Sequence, residues 1–160
     1  MRFTLTENFT LKDMSMHFEK LICSKLAELL GMDETKIAPA VRRAFKDATE
    51  KLAQELIISR WSKVVAGVYN IDPIQLYSKT RRQPIAESRQ VAMYLAAEEG
   101  RIEHNVIASH FGCGRQNVDY AVAKIRDSIS VDRVLRNAVS SAKVAYYEAN
   151  PIGTEDTTQV

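Results

Sequence analysis

No stretch of this chain holds the roughly 18–20 consecutive apolar residues that cross a bilayer, and the opening MRFTLTENFTLKDM lacks the apolar core of a secretion signal. Cysteine is scarce. Cys23 and Cys113 are the only two in 160 residues, and their spacing fits neither a disulfide framework nor a CxxC metal pair. Glycine occurs six times and proline four, which excludes collagen and the Pro/Gly-rich disordered classes. No sign of charge dominates either, with 22 Lys and Arg against 20 Asp and Glu. What remains is an ordinary globular composition, 46% hydrophobic and 26% charged, in a chain long enough to bury a core without a metal or a disulfide. These absences leave a soluble intracellular protein as the expectation, cytoplasmic by default.

The small net charge of +2 conceals an uneven distribution. Residues 1–55 balance nine Lys/Arg with nine Asp/Glu, residues 56–127 carry ten against seven, and residues 128–160 carry three against four. Within 60–90, Arg60, Lys63, Lys79, Arg81, Arg82 and Arg89 face only Asp72 and Glu87. A local excess of this kind suits a polyanionic partner, and it equally suits a solvated basic face.

Apolar spacing predicts an all-α protein. Leu11, Met14, Phe18, Leu21, Ile22, Leu26 and Leu29 recur at helical intervals, and Gly31 follows as a left-handed cap. A second helix starts near Asp33, with Pro39 in its first turns and Ile37, Val41, Phe45, Ala48, Leu52 and Leu56 on one face. The stripe runs on through Ile57, Trp61, Val64, Val65 and Val68, as one helix or as two joined near Ser59. Asp72-Pro73 opens a short helix to Tyr77, Lys79–Glu87 reads as a basic loop containing Pro84, and Ser88 caps a helix that Gly100 ends. Asn105 caps a short helix to Phe111, Gly112-Cys113-Gly114 make a tight turn, and Val118, Ala121, Val122 and Ile125 mark the next helix. A last helix runs from about Val131 to Ala149 and stops at Asn150-Pro151. The expected organisation is an N-terminal helical hairpin over 1–58, a helix-turn-helix domain over 59–128, a C-terminal helix over 129–150 and a disordered tail over 151–160.

The common catalytic constellations are missing. There is no GxxxxGK[ST] loop to cradle a phosphate, and Gly112-Cys113-Gly114 is too short for a dinucleotide fingerprint. His17, His104 and His110 share no metal-ligand spacing. Cys113 lies near His110 in sequence, but a thiol nucleophile also needs a base held in place. No enzymatic activity, no metal and no cofactor is therefore expected. The aromatic residues Trp61, Tyr69, Tyr94 and Phe111 fall on apolar stripes and read as core.

The helix–turn–helix pattern at Asn105–Asp127 is the stronger signal. Its second helix opens with Arg115, Gln116 and Asn117, where a recognition helix places its base-contacting residues. Arginine can bond guanine O6 and N7 with two hydrogen bonds, and Gln or Asn can do the same with adenine N6 and N7. A plain helical hairpin with a polar first turn has the same pattern.

The run YNIDPIQLYSKTRRQPIAESRQVAMYLA, continued by HFGCGRQNVDYAVAKI, resembles the C-terminal, origin-box-binding domain of the bacterial replication initiator DnaA. The resemblance spans Val64 to Ile125 and implies a multi-helix domain with a helix-turn-helix related to that of the Trp repressor. It implies double-stranded DNA as the partner, with Arg81 entering a minor groove and Lys79, Arg82, Arg89 and Gln90 on phosphates. The recognition helix departs from the family. Members usually carry Gly-Arg-Asp-His-Thr-Thr, whereas this chain has Cys-Gly-Arg-Gln-Asn and is one residue shorter through the turn. Sequence-specific duplex binding by a bacterial or phage regulator of replication or transcription, associated with the nucleoid, is the resulting expectation. A helical protein-interaction module and a non-specific architectural DNA binder are the alternatives. The N- and C-terminal helices either pack on the DNA-binding domain or form a homodimer interface.

Overall fold

The structure is a computed structural model and describes residues 11–150, with side chains from Met16 onward; the expected tail at 151–160 lies outside the described residues. Six α-helices follow in order: α1 Leu11–Leu30, α2 Glu34–Val68, α3 Ile85–Glu98, α4 His104–His110, α5 Arg115–Val131 and α6 Arg133–Ala149. A 3-10 helix at Pro73–Tyr77 precedes α3, and no strand occurs among the described residues. No helix among them is long and apolar enough to cross a membrane. The chain separates into two compact units, one ending at Leu52 and the other beginning at Ala53.

In the first unit, Gly31 ends α1 with φ +59°, and the Met32 N–H reaches back to the Ala27 carbonyl at 3.1 Å. Asp33 then caps α2. Its Oδ1 accepts from the Thr35 N–H at 2.8 Å and from the Thr35 hydroxyl at 2.7 Å, which holds its carboxyl below the usual range. Pro39 is the sixth residue of α2, just past the turn whose N–H groups are free, so the Thr35 carbonyl loses its helical donor. The core of this unit is small: Cys23, Ile37 and Val41 are buried, flanked by Leu26, Ala27, Ala38 and Phe45.

α2 is one unbroken helix through Ser59, so the two-helix alternative does not hold. The division between the units falls within it, six residues before the boundary read from the sequence at 58/59. From Ala53 onward α2 contributes Ile58, Trp61, Val65 and Ala66 to the second unit's core. The C-terminal helix belongs to that same core through Leu135, Val139 and Ala142. Trp61 is 1% exposed and stacks on Tyr146 with ring centroids 3.7 Å apart and planes 7° from parallel.

α3 lies at the centre of the second unit. Val91, Ala92, Met93, Leu95 and Ala96 are all buried, and the helix packs on α5, α4 and the 3-10 helix. Its start differs from the sequence reading. Pro84 stands at the N-cap, where its missing N–H costs nothing, so the helix begins at Ile85 and the loop ends three residues earlier than expected. Ser88 is not a cap but a buried residue of the second turn, its hydroxyl donating to the Ile85 carbonyl at 3.0 Å. α4 likewise begins at His104 with Glu103 at the cap position, not Asn105. At the far end of α3, Gly100 is held by contact: a Cβ there would lie 2.6 Å from the Ala96 carbonyl oxygen and 3.1 Å from Ile57.

Two devices fasten α6. Asp132 closes α5 and caps α6, its Oδ1 accepting from the Val134 N–H at 2.8 Å and the Leu135 N–H at 3.1 Å. Lys143 meets Glu99 at 2.6 Å, and the Tyr147 hydroxyl donates to the same carboxylate at 3.1 Å. The lysine chiefly holds the Glu99 carboxyl below its usual range, so this tie is present above the ordinary carboxylate pKa and is lost as pH falls through the lowered value.

Urea unfolding should separate these contributions. Asp132→Ala removes one cap at the α5–α6 junction and should lower the unfolding free energy by about 1 kcal/mol. Trp61→Ala empties a buried stack and should lower it by about 3–5 kcal/mol. Equal losses for the two would show that the Trp61–Tyr146 stack is not the buried contact described above.

Candidate nucleic-acid interface

The turn between α4 and α5 is set by backbone geometry. Gly112 has φ +61°, a conformation that a side chain would strain. The Gly112 N–H bonds the Ser109 carbonyl at 3.2 Å, and the Cys113 N–H bonds the Ala108 carbonyl at 2.9 Å. Gly114 is the N-cap of α5 and offers no side chain to its N–H groups. The first turn of α5 therefore ends in open backbone donors flanked by Arg115, Gln116 and Asn117, all exposed. Behind it, Val118, Ala121, Val122 and Ile125 bury the opposite face.

Asp119 organises this end of α5. Its Oδ1 lies 2.5 Å from His104 Nδ1, and its Oδ2 lies 3.7 Å from Arg115 Nε. One carboxylate thus ties the start of α4 to the start of α5 and aligns Arg115 along the helix. The tie leaves the guanidinium's Nη groups available.

Facing α5 is the segment between the 3-10 helix and α3. Asp72 caps the 3-10 helix, its Oδ1 accepting from the Ile74 N–H at 2.9 Å, and Pro73 occupies the first helical position as the sequence predicts. Lys79, Arg81 and Arg82 extend from the loop that follows and are exposed. No carboxylate among the described residues forms an ion pair with any of the three. Elsewhere in this unit Arg126 pairs with Glu98, Lys143 with Glu99 and Arg115 with Asp119, while Arg60, Lys63, Arg101 and Arg133 form no ion pair among the described residues. The loop is distinguished by crowding three unpaired cations into the four residues from Lys79 to Arg82.

Loop and helix form the walls of a groove of about 750 Å³. Of the eight residues singled out from the sequence, Lys79, Arg81, Arg89, Gln90 and Asn117 line it. Arg82, Arg115 and Gln116 are exposed outside that lining. Arg89, expected on phosphates, is directed at the loop instead: its guanidinium donates to the carbonyls of Leu76, Ser78 and Thr80. Three of its five N–H donors are thereby occupied. Burial holds its pKa below the ordinary arginine value.

Two groove residues escaped the sequence reading. Tyr120, 61% exposed, and Lys124 line the α5 wall together with Asn117. Their spacing, i, i+3 and i+7 from Asn117, is that of one helix face, and this was the available signal. Lys124 Nζ donates to Gln90 Oε1 at 2.9 Å, which bridges α5 to α3 and leaves the Gln90 amide N–H groups for an outside acceptor.

Burial pushes the Cys113 thiol up, and Arg89 only partly opposes it, so the reactive thiolate is disfavoured. His110 turns its Nε2 to the Tyr77 hydroxyl at 3.1 Å and packs edge-on against Phe111. Among the described residues no group of three or more His, Cys, Asp or Glu is placed to hold a metal ion.

The family model for the bacterial DnaA protein helix-turn-helix matches residues 58–125, which takes in both walls of the groove. The chromosomal replication initiator protein DnaA of Burkholderia multivorans is 38% identical over 98 residues, covering 60% of this chain and 18% of that protein. Its counterpart in Ralstonia nicotianae is 38% identical over 98 residues, covering 60% of this chain and 19% of that protein. The protein of the same name in Nautilia profundicola is 28% identical over 122 residues, covering 74% of this chain and 27% of that protein. The chain thus spans only about a fifth to a quarter of the length of these relatives. With α4, the turn and α5 arranged as described, residues 58–125 are similar in sequence to the bacterial DnaA helix-turn-helix domains.

Proposed function

We propose that this domain binds double-stranded DNA in a sequence-specific manner, as a bacterial or phage regulator of replication or transcription working on the nucleoid. The observation that carries the reading is the pairing across one groove of an unmatched basic loop with the open, polar first turn of α5. The first turn of α5 enters the major groove, where Arg115 reads a guanine edge and Gln116 and Asn117 read adenine edges. Arg81 enters the adjacent minor groove. Lys79, Arg82 and Lys124 meet phosphates, and the Gln90 amide donates to another. The name shared by the relatives, chromosomal replication initiator protein, supports a duplex as the ligand. Because the Asp-His-Thr run usual in the recognition helix is absent here, the preferred site differs from the standard origin box.

Selection of bound duplexes from a random pool, followed by affinity measurements against salt, tests this. An enriched motif with steep salt dependence is expected. Gln116→Ala should cost about 1–3 kcal/mol on that motif and relax one position. Arg82→Ala should weaken all sequences alike and reduce the salt slope by about one. Steep salt dependence with no motif would replace this reading with an architectural one. Absence of binding at low salt would turn the groove over to a protein partner.

The first unit supports a second proposal, that the chain is a homodimer. Its three-residue buried core is small beside what it exposes, since Phe18, Leu21, Leu29 and Leu30 of α1 are each at least half exposed. Its nearly balanced charge, nine Lys/Arg against eight Asp/Glu over residues 1–52, opposes no second copy. Two linked domains would engage two half-sites. Light scattering should report twice the 18.0 kDa chain mass, and Leu21→Lys with Leu29→Lys should return a folded monomer. A wild-type monomer at tens of micromolar would remove this proposal.

A further inference from the structure

Arg89 sits in the second turn of α3 and points back along the helix towards the loop. Its Nε donates to the Leu76 carbonyl at 2.5 Å and its Nη1 to the Thr80 carbonyl at 3.2 Å, while Nη2 donates to the Ser78 carbonyl. These carbonyls belong to alternate residues along the path that leads from the 3-10 helix into the basic loop. One rigid planar fork, anchored on the most buried helix of the unit, therefore dictates the course of residues 76–80. Other bonds reinforce it, the Ser78 hydroxyl donating to the Gln75 carbonyl at 2.6 Å and the Arg82 N–H to the Thr80 hydroxyl at 3.3 Å. No carboxylate among the described residues pairs with Arg89. The dipoles of three loop carbonyls face its charge instead.

We infer that Arg89 is the positioning residue of the basic loop: through the carbonyls of Leu76, Ser78 and Thr80 it presents Lys79, Arg81 and Arg82 to the nucleic acid instead of binding a phosphate itself. The inference rests on the duplex-binding reading above for its consequence, but not for its structural content. A free loop bearing three like charges would have to be ordered on binding, at a cost in conformational entropy. A loop already held in place by Arg89 avoids most of that cost.

Arg89→Lys separates positioning from contact. Lysine keeps the charge that a phosphate needs, yet its compact ammonium cannot reach three carbonyls spaced for a guanidinium. The free full-length protein is first treated with trypsin, which cuts after Lys79, Arg81 and Arg82. Loop cleavage in Arg89→Lys should rise about tenfold or more while the helical circular dichroism persists, because only local order is lost. On the selected duplex, Arg89→Lys and Arg89→Ala should weaken binding alike and lower the salt slope by about two to three, the number of loop cations released. Arg81→Ala should then matter little in the Arg89→Lys background.

A simple phosphate contact makes opposite predictions. Arg89→Lys would bind as the wild type, Arg89→Ala would lower the slope by about one, and trypsin would find the loop no more open in either. That set of results overturns the inference. Should both variants fail to fold, the wild type still decides: the Arg89 Nε–H must exchange with water far more slowly than those of Arg81 and Arg82, and equal exchange rates overturn the inference. Failure of duplex binding by the wild type would overturn the functional reading while leaving the protease and exchange results to judge the positioning role.

Discussion

α3 buries five apolar side chains within the six residues from Val91 to Ala96, and α5, α4 and the 3-10 helix are all packed against it. That burial is the constraint from which the interface follows. Side chains so enclosed cannot shift without opening cavities, so residues in the half-buried first turns of α3 inherit a fixed frame. Arg89 and Gln90 leave the helix there, one towards the loop carbonyls and the other towards Lys124 of α5. The two walls of the groove are thus referred to a single rigid element.

The electrostatics follow from where carboxylates are absent. Several cations of the second unit are tied down, by Asp119, Glu98 and Glu99 or by main-chain carbonyls. Lys79, Arg81 and Arg82 have no such partner among the described residues, and they lie together on one loop. A modest net charge is sufficient under these conditions, because a duplex responds to the local field within a Debye length and not to the sum over the chain.

Much of the helical framework was legible because it rests on local signals. The Asp72-Pro73 start, the left-handed turns at Gly31 and Gly112, and the apolar stripes of α1, α2 and α5 all depend on residues within a turn or two of each other. The errors at Ser88 and Asn105 share one cause. Both have good capping side chains, but the helices continue past them, because Pro84 can begin α3 and His104 can join α4 through Asp119. A cap is chosen by where the backbone must turn, and packing decides that. Tyr120 and Lys124 were missed for a different reason: their spacing from Asn117 marks one helix face, but not what lies opposite it.

By itself the sequence determined an all-α chain, its basic segment, its tight turn and the polar opening of the helix that follows, since these need only spacing and backbone preference. Residues 58–125 match a known helix-turn-helix family for the same reason. Tertiary structure alone decided which of these residues share a groove, which cations stay unmatched, and that Arg89 faces its own loop. Such facts depend on contacts between residues 9 to 34 positions apart in the chain, and no local pattern encodes them.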